Sequence, residues 1–263
     1  KKSYYQSGKN HRDWLKIKNW RSIQGFLTEY DPKNGYFTVS VFDHEDIVNI
    51  GKCKHGLDDE SLSALKQLFI SQGTKTNDGY TLPPAICASI HTLDLLQGEL
   101  REPEFAKLLP HVSPEECTAR QLQLDLAMMP TTFELTNTTK IFWPDKGLTK
   151  GDLLVYMRNI APYMLPFLEQ KALTLIRYPD GVTEEGFFQK SLPHYAPEFI
   201  KSIPIEDKQV MICDHLDSLM WFANHGAVEY HVPFQTIDSD LYPAEIAFDL
   251  DPPDRTQFGL AIQ

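Results

Sequence analysis

The chain has 263 residues, 42% hydrophobic and 23% charged, which suits about two packed domains and excludes wholesale disorder. Its net charge of −11 excludes a general nucleic-acid coat, because neutralising phosphates takes an excess of Lys and Arg. No run approaches the roughly eighteen apolar residues of a membrane span, and KKSYYQSGKNHRDW lacks the apolar centre of a secretory signal.

The first twenty-one residues are locally basic, with Lys1, Lys2, Lys9, Arg12, Lys16, Lys18 and Arg21 against Asp13. RDWLKIKNW, residues 12–20, reads as a short strand with Lys16 and Lys18 on one face. Those lysines either ligate a phosphate or form an exposed basic edge. Two β-rich runs follow, SIQGFLTEY and GYFTVSVFD, joined by DPKNG, whose Asn34-Gly35 is a turn signal. After DIVNIGKCKHG, the spacing of Leu62, Leu65, Leu68 and Phe69 predicts a helix capped by Asp58 or Asp59 and closed by Gly73. AICASIHTLDLL and ELREPEF are again strand-like. Short strands with one interposed helix fit a small Greek-key barrel such as an OB-fold. Cys53, Cys87, Cys117 and Cys213 are scattered and form no C-x-x-C, so they imply neither zinc nor a disulfide framework. A reducing cytoplasm is the expected setting.

Residues 113–132 are expected to be a linker with at most one helical turn, and a second domain is expected from 133 to 263. In it Thr149 and Asp152 form a capping-box variant. Leu153, Leu154, Met157, Ile160, Met164 and Leu168 mark one helix face, and Pro162 is expected to kink or interrupt that helix. ALTLIRYPDG is a strand entering a turn. A helix over 214–225, capped by Asp214 and stopped by Gly226, precedes two strands, AVEYHVPF and EIAFDLD.

In the last of these, Asp249 and Asp251 stand two residues apart, so a strand projects both from one face, where hard carboxylate oxygens suit Mg²⁺ or Mn²⁺. Pro252 and Pro253 end the strand. A carboxylate pair there suits phosphoryl or nucleotidyl transfer; a chance D-x-D is the bland alternative. Lys150 falls in the first turn of the capped helix, where free N–H groups and the dipole favour an anion, and Lys140 lies ten residues earlier. Together they suit a terminal phosphate; singly each is an ordinary surface lysine. Phe187 and Phe188 are adjacent, so one faces outward as a platform for a base beside Lys190, or packs as core. His231 either contacts a phosphate or is a satisfied strand histidine.

These segments in order resemble bacterial DNA ligase D, the ATP-dependent DNA ligase fused to a primase-type polymerase in non-homologous end joining. DWLKIKNW is similar to motif V of the ligase nucleotidyltransferase domain, and residues 21–112, with GELREPEF, are similar to its OB domain. TKIFWPDKGLTKGDLL, LIRYPDG, FFQK, VEYHVPF and FDLDP resemble the front of the polymerase domain. The resemblance implies a mixed β and α+β fold: residues 1–20 ending the nucleotidyltransferase domain, 21–112 an OB barrel, 113–132 a linker, 133–263 part of a polymerase domain. It implies Lys16 and Lys18 at the phosphate of ATP or the adenylate, Lys140 and Lys150 on the 5′-phosphate of a DNA end, Phe188 or Phe187 on the template, and His231 at the nucleotide. It further implies Asp249 and Asp251 as catalytic metal ligands for Mn²⁺ or Mg²⁺, and a Ku-type end-binding partner in the bacterial nucleoid. The family's K-x-D-G lysine, its R-x-D-K motif and a third catalytic Asp are not recognisable, so an internal piece, inactive alone as a ligase, is expected. A non-catalytic DNA-end-binding module and a metal-dependent phosphoesterase are the alternatives.

Overall fold

The computed structural model describes residues 4, 7–8, 15, 17–239, 245–250 and 252–262. They form two compact units, 1–129 and 130–263, with antiparallel sheets and helices in each. No helix among the described residues is long and apolar enough to cross a membrane.

The first unit contains β1 (Arg21–Asp31), β2 (Tyr36–Asp43), β3 (Asp46–Cys53), α1 (Asp59–Gln72), β4 (Thr74–Lys75), β5 (Tyr80–Thr92), β6 (Leu95–Leu96), β7 (Glu99–Leu100), β8 (Glu104–Leu108) and α2 (Ala119–Leu126). The main sheet runs β3-β2-β1-β5-β4, with β8 also on β5. Asp31 builds the first turn. Its carboxylate accepts from Lys33 N at 2.9 Å, Asn34 N at 3.1 Å and Asn34 Nδ2 at 2.8 Å, and Gly35 takes φ +76°.

A bulge in β1 between Leu27 and Glu29 shifts the alternation. Ile23 and Leu27 on one side of the bulge and Tyr30 on the other therefore enter the same core, with Phe37, Val39, Phe69, Ile90 and Phe105. The sheet curls until its ends meet: Phe105 N, in β8, donates to His55 O, just past β3, at 2.7 Å. Only glycine fits at that seam. A Cβ on Gly56, at φ +109°, would stand 2.0 Å from Phe105 O.

The expected linker belongs to this unit. Thr118 caps α2 by accepting from Gln121 N, Leu122 enters the core, and Cys117 is buried beside Phe26 and Cys87. Arg21 Nε donates to Leu126 O at 2.7 Å and Gln24 N to Asp125 Oδ2 at 3.2 Å. Desolvation there pushes the Asp125 carboxyl up to about 6. All four cysteines are buried free thiols. The expected strand over 12–20 does not form in its described part. Residues 17–20 pair with no strand, and without a neighbouring ladder Leu15 and Ile17 stay exposed.

The second unit contains β9 (Ile141–Trp143), β10 (Leu148–Thr149), α3 (Lys150–Leu168), β11 (Thr174–Arg177), β12 (Phe187–Gln189), β13 (Ser202–Ile205), β14 (Lys208–Met211), α4 (Leu216–Asn224), β15 (Ala227–His231) and α5 (Phe258–Ile262). β9 and β10 form a hairpin, β12-β11-β15 an antiparallel sheet, and β13 and β14 a second hairpin. α3 runs through both Pro162 and Pro166 to Leu168, so the expected interruption does not occur. Burial of Leu153, Leu154, Met157, Ala161 and Leu168 holds it together despite the missing donors. α4 begins at Leu216, with His215 at its cap position; Asp214 bonds Lys201 and His215 instead. Gly226, at φ +79°, stops it as expected. The expected strand over 245–251 is absent from the described residues 245–250. They pair with no strand, and Ile246, Phe248 and Leu250 are exposed. A strand needs a partner ladder, which none of the described elements supplies there.

Candidate nucleic-acid and nucleotide site

The hairpin of β9 and β10 leads directly into α3, which sets Lys150 as its first residue. Thr149 accepts from Asp152 N at 3.2 Å, while Asp152 Oδ2 accepts from Thr149 N at 2.7 Å, the expected capping box. Lys150 is 4% exposed, and its Nζ donates to Thr136 Oγ1 at 3.1 Å. Among the described residues it pairs with no carboxylate. Burial, then the charge of Lys140, pull its pKa down to about 8. Lys140 is oriented by the turn after β11: its Nζ donates to Pro179 O at 2.7 Å and Asp180 Oδ1 at 2.5 Å. The backbone at 140 and 150 is tied as well, Lys150 N donating to Lys140 O at 2.8 Å. Two ammonium groups therefore share one corner, and among the described residues the buried one has no carboxylate partner.

The sheet sorts the remaining candidates by face. Phe188 pairs with Ile176, and Ile176 with Glu229, so these three point to one side. His231, two residues beyond Glu229, shares that side. Phe187 pairs with Arg177 on the other side, towards buried Leu175. Phe188 is 68% exposed and Phe187 45%. The difference has a cause: the Arg177 guanidinium lies over the Phe187 ring, 5.2 Å from its centroid. Arg177 also donates to His225 O at 2.7 Å, Gln189 Oε1 at 2.5 Å and Tyr195 OH at 3.2 Å. The His225 ring lies tilted against Trp221, centroids 4.0 Å apart, and donates from Nδ1 to Trp221 O at 2.8 Å. Desolvation lowers its pKa; the Trp221 bond opposes this, and the charges of Arg177 and Lys150 add to the lowering.

Residues 149–263 match the family model of the LigD primase-polymerase domain. The chain is 40% identical over 256 residues to the bifunctional non-homologous end joining protein LigD of Bacillus subtilis (strain 168), a match covering 97% of this chain and 42% of that protein. Along nearly its whole length, then, the chain is similar to a ligase D protein. The multifunctional non-homologous end joining protein LigD of Mycolicibacterium smegmatis is 37% identical over 124 residues, 45% of this chain and 16% of its own. Among solved structures, the polymerase domain of Mycobacterium tuberculosis ligase D in complex with DNA is similar at 31% identity and a TM-score of 0.37, covering 40% of this chain and 38% of that one. The chain thus spans less than half the length of the curated relatives it matches.

The range matched to the LigD primase-polymerase domain takes in Lys150, Phe187, Phe188, His231, Asp249 and Asp251, and Lys140 lies just ahead of it. Lys16 and Asp251 lie outside the described residues. Lys18 is engaged: its Nζ lies 2.6 Å from Glu102 Oε2 and 4.8 Å from the Trp20 ring centroid. Asp249 is exposed, and among the described residues no group of three or more His, Cys, Asp or Glu could hold a metal ion. The described donors therefore do not make up a metal site. Asp214, His215 and Ser218 adjoin, but they are not a hydrolytic triad. Asp214 lies at Nδ1 at 2.6 Å; Ser218 Oγ lies nearer that same nitrogen, at 3.1 Å, than Nε2, at 3.3 Å, and Ser218 is fully buried, out of reach of a substrate. Reading the sequence missed Arg177, Tyr178 and Glu229. The only local hint was the turn after Arg177; Glu229 becomes informative only beside Tyr178 and His231.

Proposed function

We propose that the second unit grips a DNA end by its 5′-phosphate while a template base stacks on Phe188 beside a nucleotide at His231, as part of an enzyme that fills and seals broken DNA ends. Lys150 carries this reading. A buried ammonium beside a second lysine, without a carboxylate partner among the described residues, is an unbalanced positive site at a helix amino terminus. A phosphate monoester supplies the missing charge with oxygens that accept from both lysines. The exposure of Phe188 supports the stacking role over Phe187, whose ring already has a guanidinium on it.

The first unit is proposed as the OB domain of the ligase portion, on the strength of its curled antiparallel sheet with α1 interposed. ATP as ligase cofactor and a Ku-type partner follow from the same reading. Asp249 and Asp251 are proposed as the all-oxygen donors of a polymerase metal, Mn²⁺ or Mg²⁺; no chemical step is derived through them.

The experiment compares binding to a recessed DNA end with and without its 5′-phosphate. K150A should weaken the phosphorylated complex by roughly 1.5–3 kcal/mol, about ten- to a hundredfold, and leave the unphosphorylated one nearly unchanged. Equal weakening of both would reduce Lys150 to a non-specific contact and overturn the reading.

A further inference from the structure

Glu229 links two parts of the second unit that are distant in sequence. The Tyr178 hydroxyl, just after β11, donates to Glu229 Oε1 at 2.9 Å, and Glu229 Oε2 lies 3.1 Å from His231 Nε2. A carboxylate only accepts, so the proton of the second contact belongs to Nε2, and Nδ1 is the ring nitrogen left for a ligand. Tyr178 is itself fixed. Its N donates to Gly226 O at 2.7 Å, and a Cβ on Gly186 would stand 2.5 Å from its Cε1. The bond to Glu229 raises the phenol pKa, so the hydroxyl keeps the proton it donates. The turn that begins at Tyr178 also supplies the Pro179 and Asp180 oxygens that hold Lys140.

We propose that Glu229 is a positioning residue for the nucleotide site: it fixes the His231 ring with Nδ1 presented to the nucleotide, and Tyr178 in turn fixes Glu229. The inference rests on the reading of His231 as a nucleotide contact. Both groups sit on the open face of the sheet with Phe188, so a nucleotide held at His231 would lie on the same face as a template base stacked on that ring. Carboxylate support behind a working imidazole is a general device for holding ring orientation and tautomer.

The test titrates ATP with Mn²⁺ into the full chain and into H231A, E229L, E229Q and Y178F by calorimetry, and follows the ring ¹⁵N–H signals of His231 by NMR. H231A should weaken binding about tenfold, the equivalent of roughly 1.4 kcal/mol. E229L should approach that loss and abolish the bonded Nε2–H signal. E229Q keeps an accepting oxygen, so it should stay within about threefold of wild type and retain the signal. Y178F should fall between and speed exchange of that proton. If H231A weakens binding while E229L matches wild type, or if the ring signal survives in E229L, the positioning role is overturned and the nucleotide reading stands. If H231A itself binds normally, the nucleotide reading fails first. Should E229L not fold, Y178F carries the test, and an unchanged Nε2–H exchange rate there overturns the proposal.

Discussion

Lys150 is the residue at which burial, charge and the proposed phosphate contact meet. Its pKa falls from the ordinary 10.5 to about 8 because the ammonium is taken out of water beside Lys140. Between these values the unfolded chain holds a proton that the folded chain has released, so stability rises with pH across that window. Below about pH 8 the folded protein carries the full cost of the buried charge. K150M should therefore raise the thermal midpoint at about pH 7, and the gain should shrink by about pH 9.5; thermal denaturation at both pH values checks this. DNA binding should move the other way, since the phosphate needs the charged amine. Preference for a 5′-phosphorylated end should decline as pH is raised from about 7 to 9, measured as the ratio of the two dissociation constants.

At the scale of elements, α3 depends on its first turn. Thr149 and Asp152 satisfy donors that the helix leaves open, and Lys150 follows the cap directly. T149A should cost about 1 kcal/mol in urea denaturation. It should also reduce 5′-phosphate preference, because freeing the first turn loosens the backbone that orients Lys150. The same helix shows how packing overrides propensity: two internal prolines do not end it, because both lie on its exposed side while the face with Leu153, Leu154, Met157, Ala161 and Leu168 is buried.

For the whole molecule, the boundary between the units falls between residues 129 and 130, at the far end of the segment 113–132. α2 is part of the first unit, with Leu122 in its core. L122A should destabilise that unit by about 2–5 kcal/mol, followed by the unfolding of its signals in denaturant. Limited proteolysis should cut first around 130–132 and spare 114–126; early cleavage inside α2 would move the boundary back to the linker expected from sequence.

What was legible in the sequence was local. The Asn34-Gly35 turn, the Thr149 cap, the Gly226 stop and the helix face from Leu153 to Leu168 each follow from residues within a few positions of one another. The motif order carried the family, because a series of short segments in the right sequence is far more specific than any one of them. The tertiary structure decided what depends on partners distant along the chain. The linker became a packed helix because Leu122 and Cys117 had a barrel to pack against. The stretches at 17–20 and 245–250 stayed unpaired because no described strand lies beside them. Phe188 rather than Phe187 is the open ring because Arg177 covers the latter. Glu229, unremarked in a strand of alternating residues, gained meaning only when the Tyr178 turn and His231 closed around it. Periodicity and capping act over one or two turns of chain, so sequence alone resolves them; burial, ladder pairing and charge balance are sums over neighbours that only the folded chain brings together.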